Sequence, residues 1–171
     1  TAVGVMQMLS TSHYIVHQLL IQFFGLEKYT SSSEREGALK SLFHNSALVE
    51  EFCYLNDLFQ VNFSRHQGDR ISPEIHRGIF NKLVISMIKE ISSSKQVIFV
   101  VDDIHYMDEL SWEFFYNYIQ DDTLPMLVFS IKSITKHHMT ASRMLQHKSV
   151  IVHKMQELSS DNIITLACQH L

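Results

Sequence analysis

The chain has 171 residues, 46% of them apolar and 19% charged, which is typical of one globular domain with a sizeable core and excludes a disordered chain. Its formal net charge of −4 comes from interspersed charges without a basic stripe, which argues against nucleic-acid binding. No apolar run approaches the roughly 20 residues that a membrane span needs. The two cysteines have no metal or redox spacing, and no signal peptide precedes them, so we expect a cytoplasmic location.

The first half of the chain predicts one strand followed by a long helical region. Ala2–Leu9 is short and apolar, with Val at alternate positions, which is typical of a buried strand. Helix start and stop signals then predict four helices: from the cap Ser12 to the stop Gly25, from Ser31 to about His44, from Leu48 to Phe59, and from Ser72-Pro73-Glu74 to about Ile91. The helices of residues 13–91 would form a long insertion between the first two strands.

The second half predicts strands and helices in alternation. Gln96–Val101 is a continuous β-branched and aromatic run, as in a central parallel strand. A helix over Asp108–Gln120 and a strand over Met126–Ile131 follow it. A further helix, a short strand at Val150–Val152 and a last helix from Ser159 to about His170 complete the order. The sequence therefore predicts an α/β fold with a parallel sheet that helices cover on both faces.

Two acidic residues, Asp102 and Asp103, directly follow the predicted central strand. Ligands of parallel α/β sheets bind at the carboxyl ends of the strands, where a carboxylate can hold Mg²⁺ opposite nucleotide phosphates. Asp102 is our candidate metal ligand, and Asp103 is our candidate catalytic residue, orienting or deprotonating the attacking water. Asp is one methylene shorter than the Glu often found there, so slow or absent hydrolysis is one expectation. The alternative is that the two Asp residues have only a structural role, as a turn followed by a helix cap.

The residues around this acidic pair resemble a known motif. The segment Gln96–Phe115, QVIFVVDDIHYMDELSWEFF, is similar to the D-D-x-H-W-x-D-x-x-S-W pattern of signalling P-loop ATPases of the STAND and AAA-like group. Tyr106 stands where that pattern has its first Trp. We expect Asp108 to be a helix N-cap and Trp112 to pack in the core. At the end of the next predicted strand, Ser130 and Lys132 occupy the place of a γ-phosphate sensor, or else simply face solvent.

The resemblance extends over nearly the whole chain. Three stretches are similar to the NTPase region of the soluble adenylyl cyclase family: Ser12–Glu27 (SHYIVHQLLIQFFGLE), Cys53–Phe63 (CYLNDLFQVNF) and Met155–Leu171 (MQELSSDNIITLACQHL). This implies a P-loop NTPase core in residues 1–171, with ATP and Mg²⁺ as ligands. It also implies a longer protein whose cyclase catalytic domains, which make cyclic AMP from ATP, are possible intramolecular partners.

The chain departs from this family at its phosphate-binding loop. The pattern G-x-x-x-x-G-K-S/T, which supplies the backbone cradle and the lysine for phosphates, occurs nowhere in residues 1–171. Because the chain opens on Thr1 inside an apolar stretch, we expect it to be a segment that lacks the first strand and this Walker A loop. Alone, it should bind ATP weakly or not at all.

Two functions remain open from the sequence. The first is a nucleotide-binding regulatory segment of a signalling protein, with ATP and Mg²⁺ bound where the upstream loop would meet Asp102. The second is a protein-interaction scaffold, derived from an NTPase, that no longer binds nucleotide. The short Asp103 side chain and the missing loop favour the second function slightly.

Overall fold

Three parallel strands form the sheet of the computed structural model, which describes residues 2–3, 13–64, 71–132 and 139–169. The strands are β1 (Ala2–Val3), β2 (Ile98–Asp102) and β3 (Met126–Phe129), in the spatial order β1-β2-β3. Ala2 pairs with Val101, and Ile98 pairs with Met126. The prediction that the Val-rich run before Asp102 is the central parallel strand is thereby confirmed. Most of the first predicted strand lies outside the described residues.

The helices of the described residues follow the predicted order. They are α1 (Tyr14–Phe23), α2 (Ser32–Leu42), α3 (Asn56–Phe59), α4 (Pro73–Ser92), α5 (Glu109–Tyr118), α6 (Met139–Leu145) and α7 (Ser160–Gln169). A 3₁₀-helix at Ala47–Leu55 leads into α3, and another at Ile104–Tyr106 connects β2 to α5. The predicted helix over Leu48–Phe59 therefore forms, but only Asn56–Phe59 is α-helix and the rest is 3₁₀-helix. None of the helices described is long and apolar enough to cross a membrane.

Local capping chemistry explains where several helices begin and end. Ser31 and Glu34 form a reciprocal capping box at the start of α2. Ser72 caps α4 by accepting a hydrogen bond from Ile75, and Pro73 occupies its first turn. Gly25 follows α1 with a φ of 65°, a left-handed conformation that glycine adopts without steric cost. These signals are confirmed, whereas the predicted cap Ser12 lies outside the described residues.

One face of the sheet packs against the main core. Phe99 of β2 is buried and meets the ring of Phe23 edge-on, with the centroids 5.0 Å apart. Phe115 of α5 packs in the same way on Phe129 of β3, at 5.2 Å. Buried and exposed side chains alternate along β2, because a strand has a two-residue period.

The other face of the sheet is exposed in the described part of the chain. Its apolar side chains Ile98, Val100, Met126 and Val128 have exposed fractions of 59%, 43%, 59% and 40%. The prediction of helices on both faces is wrong for these residues, because every described helix that packs on the sheet does so on the face of Phe99. We call these four side chains the bare face.

The predicted fourth strand is also wrong. Val150–Val152 has no regular secondary structure and forms no strand with the sheet, and Ile151 is 95% exposed. Together with β3, this segment lines a cleft of about 500 Å³. A short apolar run becomes a strand only when a neighbouring strand satisfies its backbone groups, and this segment pairs with no strand among the described residues. The last helix, α7, forms as predicted, although its side chains are exposed.

Candidate functional site

The carboxyl ends of β2 and β3 lie side by side and place the predicted site residues together. Asp102 is the last residue of β2, and Ser130 directly follows β3. The backbone ladder continues past the strands. The backbone N–H of Ser130 donates to the carbonyl of Val101 at 3.1 Å, and the N–H of Ile104 donates to the carbonyl of Ser130 at 3.0 Å. This pairing follows from the parallel register of the two strands.

Asp102 stands at the centre of this edge with an exposed side chain. Its Oδ1 atom accepts hydrogen bonds from the hydroxyl of Ser130 and, at 3.1 Å, from the backbone N–H of Asp103. Among the described residues, no hydrogen bond reaches its second oxygen, Oδ2. The carboxylate is thus held through one oxygen and offers the other, which is the arrangement that a cation ligand needs.

Asp103 turns the chain sharply after β2. Its φ of 54° and ψ of 43° lie in the left-handed region, which Asp tolerates better than most residues do. Its N–H lies 3.0 Å from the Ser130 hydroxyl oxygen, so the turn is tied to the end of β3. The side chain is 47% exposed. Backbone strain of this kind concentrates at functional sites, where the surrounding contacts hold it.

His105 and Lys132 complete the group. The Nδ1 atom of His105 lies 3.7 Å from Oδ1 of Asp103 and 3.5 Å from the backbone nitrogen of Lys132. The lysine side chain is exposed at the same edge. Sequence reasoning named His105 only as a motif position and missed this contact, although its place three residues after Asp102 was the available signal. We call Asp102, Asp103, His105, Ser130 and Lys132 the strand-end site.

Asp108 lies next to this group but has a different role. It is buried and caps α5, where its Oδ1 accepts from the N–H of Ser111 at 3.0 Å. The same oxygen accepts from the N–H of His13 at 3.0 Å, at the start of α1. The predicted N-cap is confirmed, and the predicted core position of Trp112 is confirmed by its 2% exposure. Asp108 therefore joins the segment that follows Asp103 to the first helix.

The chemistry of the strand-end site suits Mg²⁺ bound to a phosphate. No group of three or more His, Cys, Asp or Glu that could enclose a metal ion occurs in the part of the chain that the structure describes. Mg²⁺ does not need one, because it is commonly bound by one or two carboxylates together with waters and phosphate oxygens. Asp102 fits that role by its exposed carboxylate. The hydroxyl of Ser130 and the ammonium of Lys132 are groups that bind phosphate oxygens.

Comparison with known proteins finds one kind of relative. The chain is 25% identical to adenylate cyclase type 10 of Homo sapiens over 116 residues, which are 67% of this chain and 7% of that protein. It is 27% identical to the Oryctolagus cuniculus protein over 132 residues, or 72% of this chain and 8% of the relative. The Mus musculus protein is 27% identical over 128 residues, which are 71% and 7% of the two chains.

No family model matches the chain, and no solved structure matches it. The chain spans less than a tenth of the length of the curated relatives it matches. The chain is therefore similar in sequence to a short part of adenylate cyclase type 10.

Proposed function

We propose that this chain is the Walker B part of a nucleotide-binding regulatory module in a longer signalling protein related to adenylate cyclase type 10. The observation that carries the proposal is the convergence of Asp102, Asp103 and Ser130 at the carboxyl edge of a parallel sheet. Ligands of open α/β sheets bind at that edge. In this proposal ATP is the nucleotide and Mg²⁺ accompanies it.

Four residues of the strand-end site have a role in this proposal. Asp102 would hold Mg²⁺ directly or through a water, and the ion would supply positive charge opposite the nucleotide phosphates. Asp103 orients or deprotonates the water that attacks the γ-phosphate. Ser130 and Lys132 bind the γ-phosphate from the end of β3. Because Asp103 has a short side chain, the module acts as a switch that ATP binding sets, with slow turnover.

The bare face supports the expectation of an upstream strand and helix that carry the phosphate loop. Successive strands step from β1 to β3, and α5, which joins β2 to β3, packs on the covered face. Parallel crossovers are almost always right-handed. A preceding strand that pairs with the free edge of β3 would connect to β1 by a crossover in the opposite direction across the sheet. A right-handed crossover in that direction places its helix on the opposite face. Such a helix would bury Val100 and Val128 and bring the phosphate loop beside Ser130.

The regulated activity in this proposal lies outside residues 1–171. Two thirds or more of the chain aligns with adenylate cyclase type 10, but the aligned part is only 7% of that protein's length. In this proposal a cyclase activity would therefore belong to other parts of the longer protein. The cyclase catalytic domains of such a protein are the intramolecular partners we propose. Nucleotide at the strand-end site would bias their conformation.

The second candidate function is a protein-interaction scaffold that no longer binds nucleotide. Helix α7 favours it, because Ile163, Ile164 and Leu166 remain exposed on a helix with no described partner. Exposed apolar groups of this kind mark interaction surfaces. The two functions differ in whether the full-length protein binds ATP through Asp102.

Equilibrium binding of a fluorescent ATP analogue to the full-length protein tests the proposal. We expect Asp102→Ala to weaken binding in the presence of Mg²⁺ by roughly tenfold or more, because it removes a charged ligand. Binding without Mg²⁺ should change much less. The matched control is Asp57→Ala, which removes an exposed carboxylate from α3 and should leave both affinities unchanged. If Asp102→Ala leaves the affinity for the ATP analogue unchanged, the assignment of Asp102 to the nucleotide site is refuted. If the wild-type protein binds no nucleotide, the scaffold function is supported.

A further inference from the structure

We propose that His105 is a positioning residue that couples Asp103 to the end of β3, so that the site distinguishes ATP from ADP. The inference rests on the proposed function and names a regulatory element within the same site. Its basis is one ring atom, Nδ1, which lies 3.7 Å from Oδ1 of Asp103 and 3.5 Å from the backbone nitrogen of Lys132.

The surroundings of His105 restrict where its ring can point. It lies in the 3₁₀-turn Ile104–Tyr106, whose first residue donates from its N–H to the carbonyl of Ser130 at 3.0 Å. The His105 and Tyr106 rings are in contact, with centroids 4.1 Å apart, and the His105 side chain is only 17% exposed. The turn is therefore attached to both strand ends, and the ring stays between them.

The two neighbours of Nδ1 make opposite demands on it. The N–H of Lys132 is a donor and needs an unprotonated Nδ1, whereas the carboxylate of Asp103 is an acceptor and needs an Nδ1–H. A single nitrogen cannot meet both demands at once, so the two neutral tautomers of His105 bind different strand ends. Exchange between them moves one proton between Nδ1 and Nε2 and leaves the charge of the ring unchanged.

This competition makes the carboxylate of Asp103 responsive to the third phosphate. A γ-phosphate bound at the end of β3 draws the N–H of Lys132 toward its own oxygens. Nδ1 then loses its donor, the ring takes the Nδ1–H tautomer, and His105 donates to Asp103. The carboxylate is held in place only in the ATP state. ADP has no γ-phosphate. With ADP bound, Nδ1 of His105 therefore still accepts from the N–H of Lys132, and the Asp103 carboxylate receives no hydrogen bond from His105.

Two polar substitutions that differ by one methylene test the role of Nδ1. His105→Asn puts an amide, which both donates and accepts, near the position of Nδ1. His105→Gln puts the same amide farther out, near the position of Nε2. His105→Ala removes both. Dissociation constants for ATP and ADP are measured with Mg²⁺ on the full-length protein, together with kcat and KM where turnover is detectable. Thermal unfolding of each variant checks that it folds.

The expected result is a ratio of ADP to ATP dissociation constants near the wild-type ratio in His105→Asn. In His105→Gln and His105→Ala, the ratio should fall by roughly fivefold or more, with ADP affinity retained and kcat reduced more than KM rises. The inference is overturned if the ratio of ADP to ATP dissociation constants is the same in all variants. It is also overturned if this ratio falls as far in His105→Asn as in His105→Ala. If Asp102→Ala also leaves Mg²⁺–ATP affinity unchanged, the proposed function fails; if it weakens that affinity, His105 fails alone.

Discussion

Replacement of Asp108 by alanine is expected to destabilise the fold far more than an ordinary helix-cap mutation. Asp108 is only 8% exposed and serves two helix N-termini, since it accepts from Ser111 in α5 and from His13 at the start of α1. The hydroxyl of Ser111, which is fully buried, also donates to its second carboxylate oxygen. A truncation therefore leaves three donors without their acceptor.

The magnitude follows from these contacts. Loss of an N-cap acceptor costs about 1 kcal/mol, with a range of about 0.5–2 kcal/mol. Each further buried donor left without a partner costs about 1–3 kcal/mol. The three contacts share one carboxylate, so their contributions do not add fully. We expect Asp108→Ala to lower the free energy of unfolding by about 3 kcal/mol. Asp108→Asn keeps an oxygen for the two backbone donors, so we expect a loss of about 1 kcal/mol.

Urea unfolding provides the assay. Trp112 is the single tryptophan of the chain, is buried next to Ser111, and reports on this region through its fluorescence. The matched control is Ser72→Ala, which removes an exposed N-cap hydroxyl that accepts a hydrogen bond of 3.4 Å from the backbone N–H of Ile75. That variant should lose at most about 1 kcal/mol. If Asp108→Ala loses no more unfolding free energy than Ser72→Ala does, the carboxylate does not join the two helices.

Two further predictions concern the sheet and the half-buried histidines His13 and His17. In a protein made of residues 1–171 alone, Phe99→Ala, in the buried face of β2, should lower the free energy of unfolding by about 3–5 kcal/mol, while Val100→Ala on the bare face should change it by less than about 0.5 kcal/mol. Equal losses in urea unfolding would contradict the one-sided sheet. Burial lowers the pKa of His13 and of His17 below 6.5, so below that pH the unfolded chain binds protons first. Stability should be fully present above pH 6.5 and decrease below it, by at most about 1.4 kcal/mol per pH unit for each histidine. The double variant with His13→Asn and His17→Gln should flatten that dependence between pH 6.5 and pH 5, and an unchanged slope would show that other groups cause it.

Local signals in the sequence predicted most element boundaries. The capping box of Ser31 and Glu34, the Ser72-Pro73 start and the Gly25 stop act within one turn of chain, so a single sequence is enough to recognise them. The meeting of Asp102 and Ser130, each predicted at the end of a strand, is a feature of the structure. It follows from the alternation of strands and helices, because parallel strands place their carboxyl ends at one edge.

Other features depend on contacts between distant segments, which a pattern along the chain does not contain. Val150–Val152 has the composition of a strand, but a strand forms only beside a partner that satisfies its backbone. Helical periodicity within Ala47–Leu55 does not distinguish an α-helix from the 3₁₀-helix that forms there. The exposure of Val100 likewise depends on which face of the sheet the helices occupy.

The central strand, the acidic pair at its end and the helix caps could be recognised along the chain, because each of these depends on residues within a few positions of one another. The tertiary structure alone places His105 between Asp103 and Lys132, since that contact joins two loops that follow different strands. It also decided that Asp108 joins α1 to α5 across 95 positions of chain. Hydrogen bonds of this kind form wherever packing brings a donor to an acceptor, and their energy does not depend on their separation in sequence.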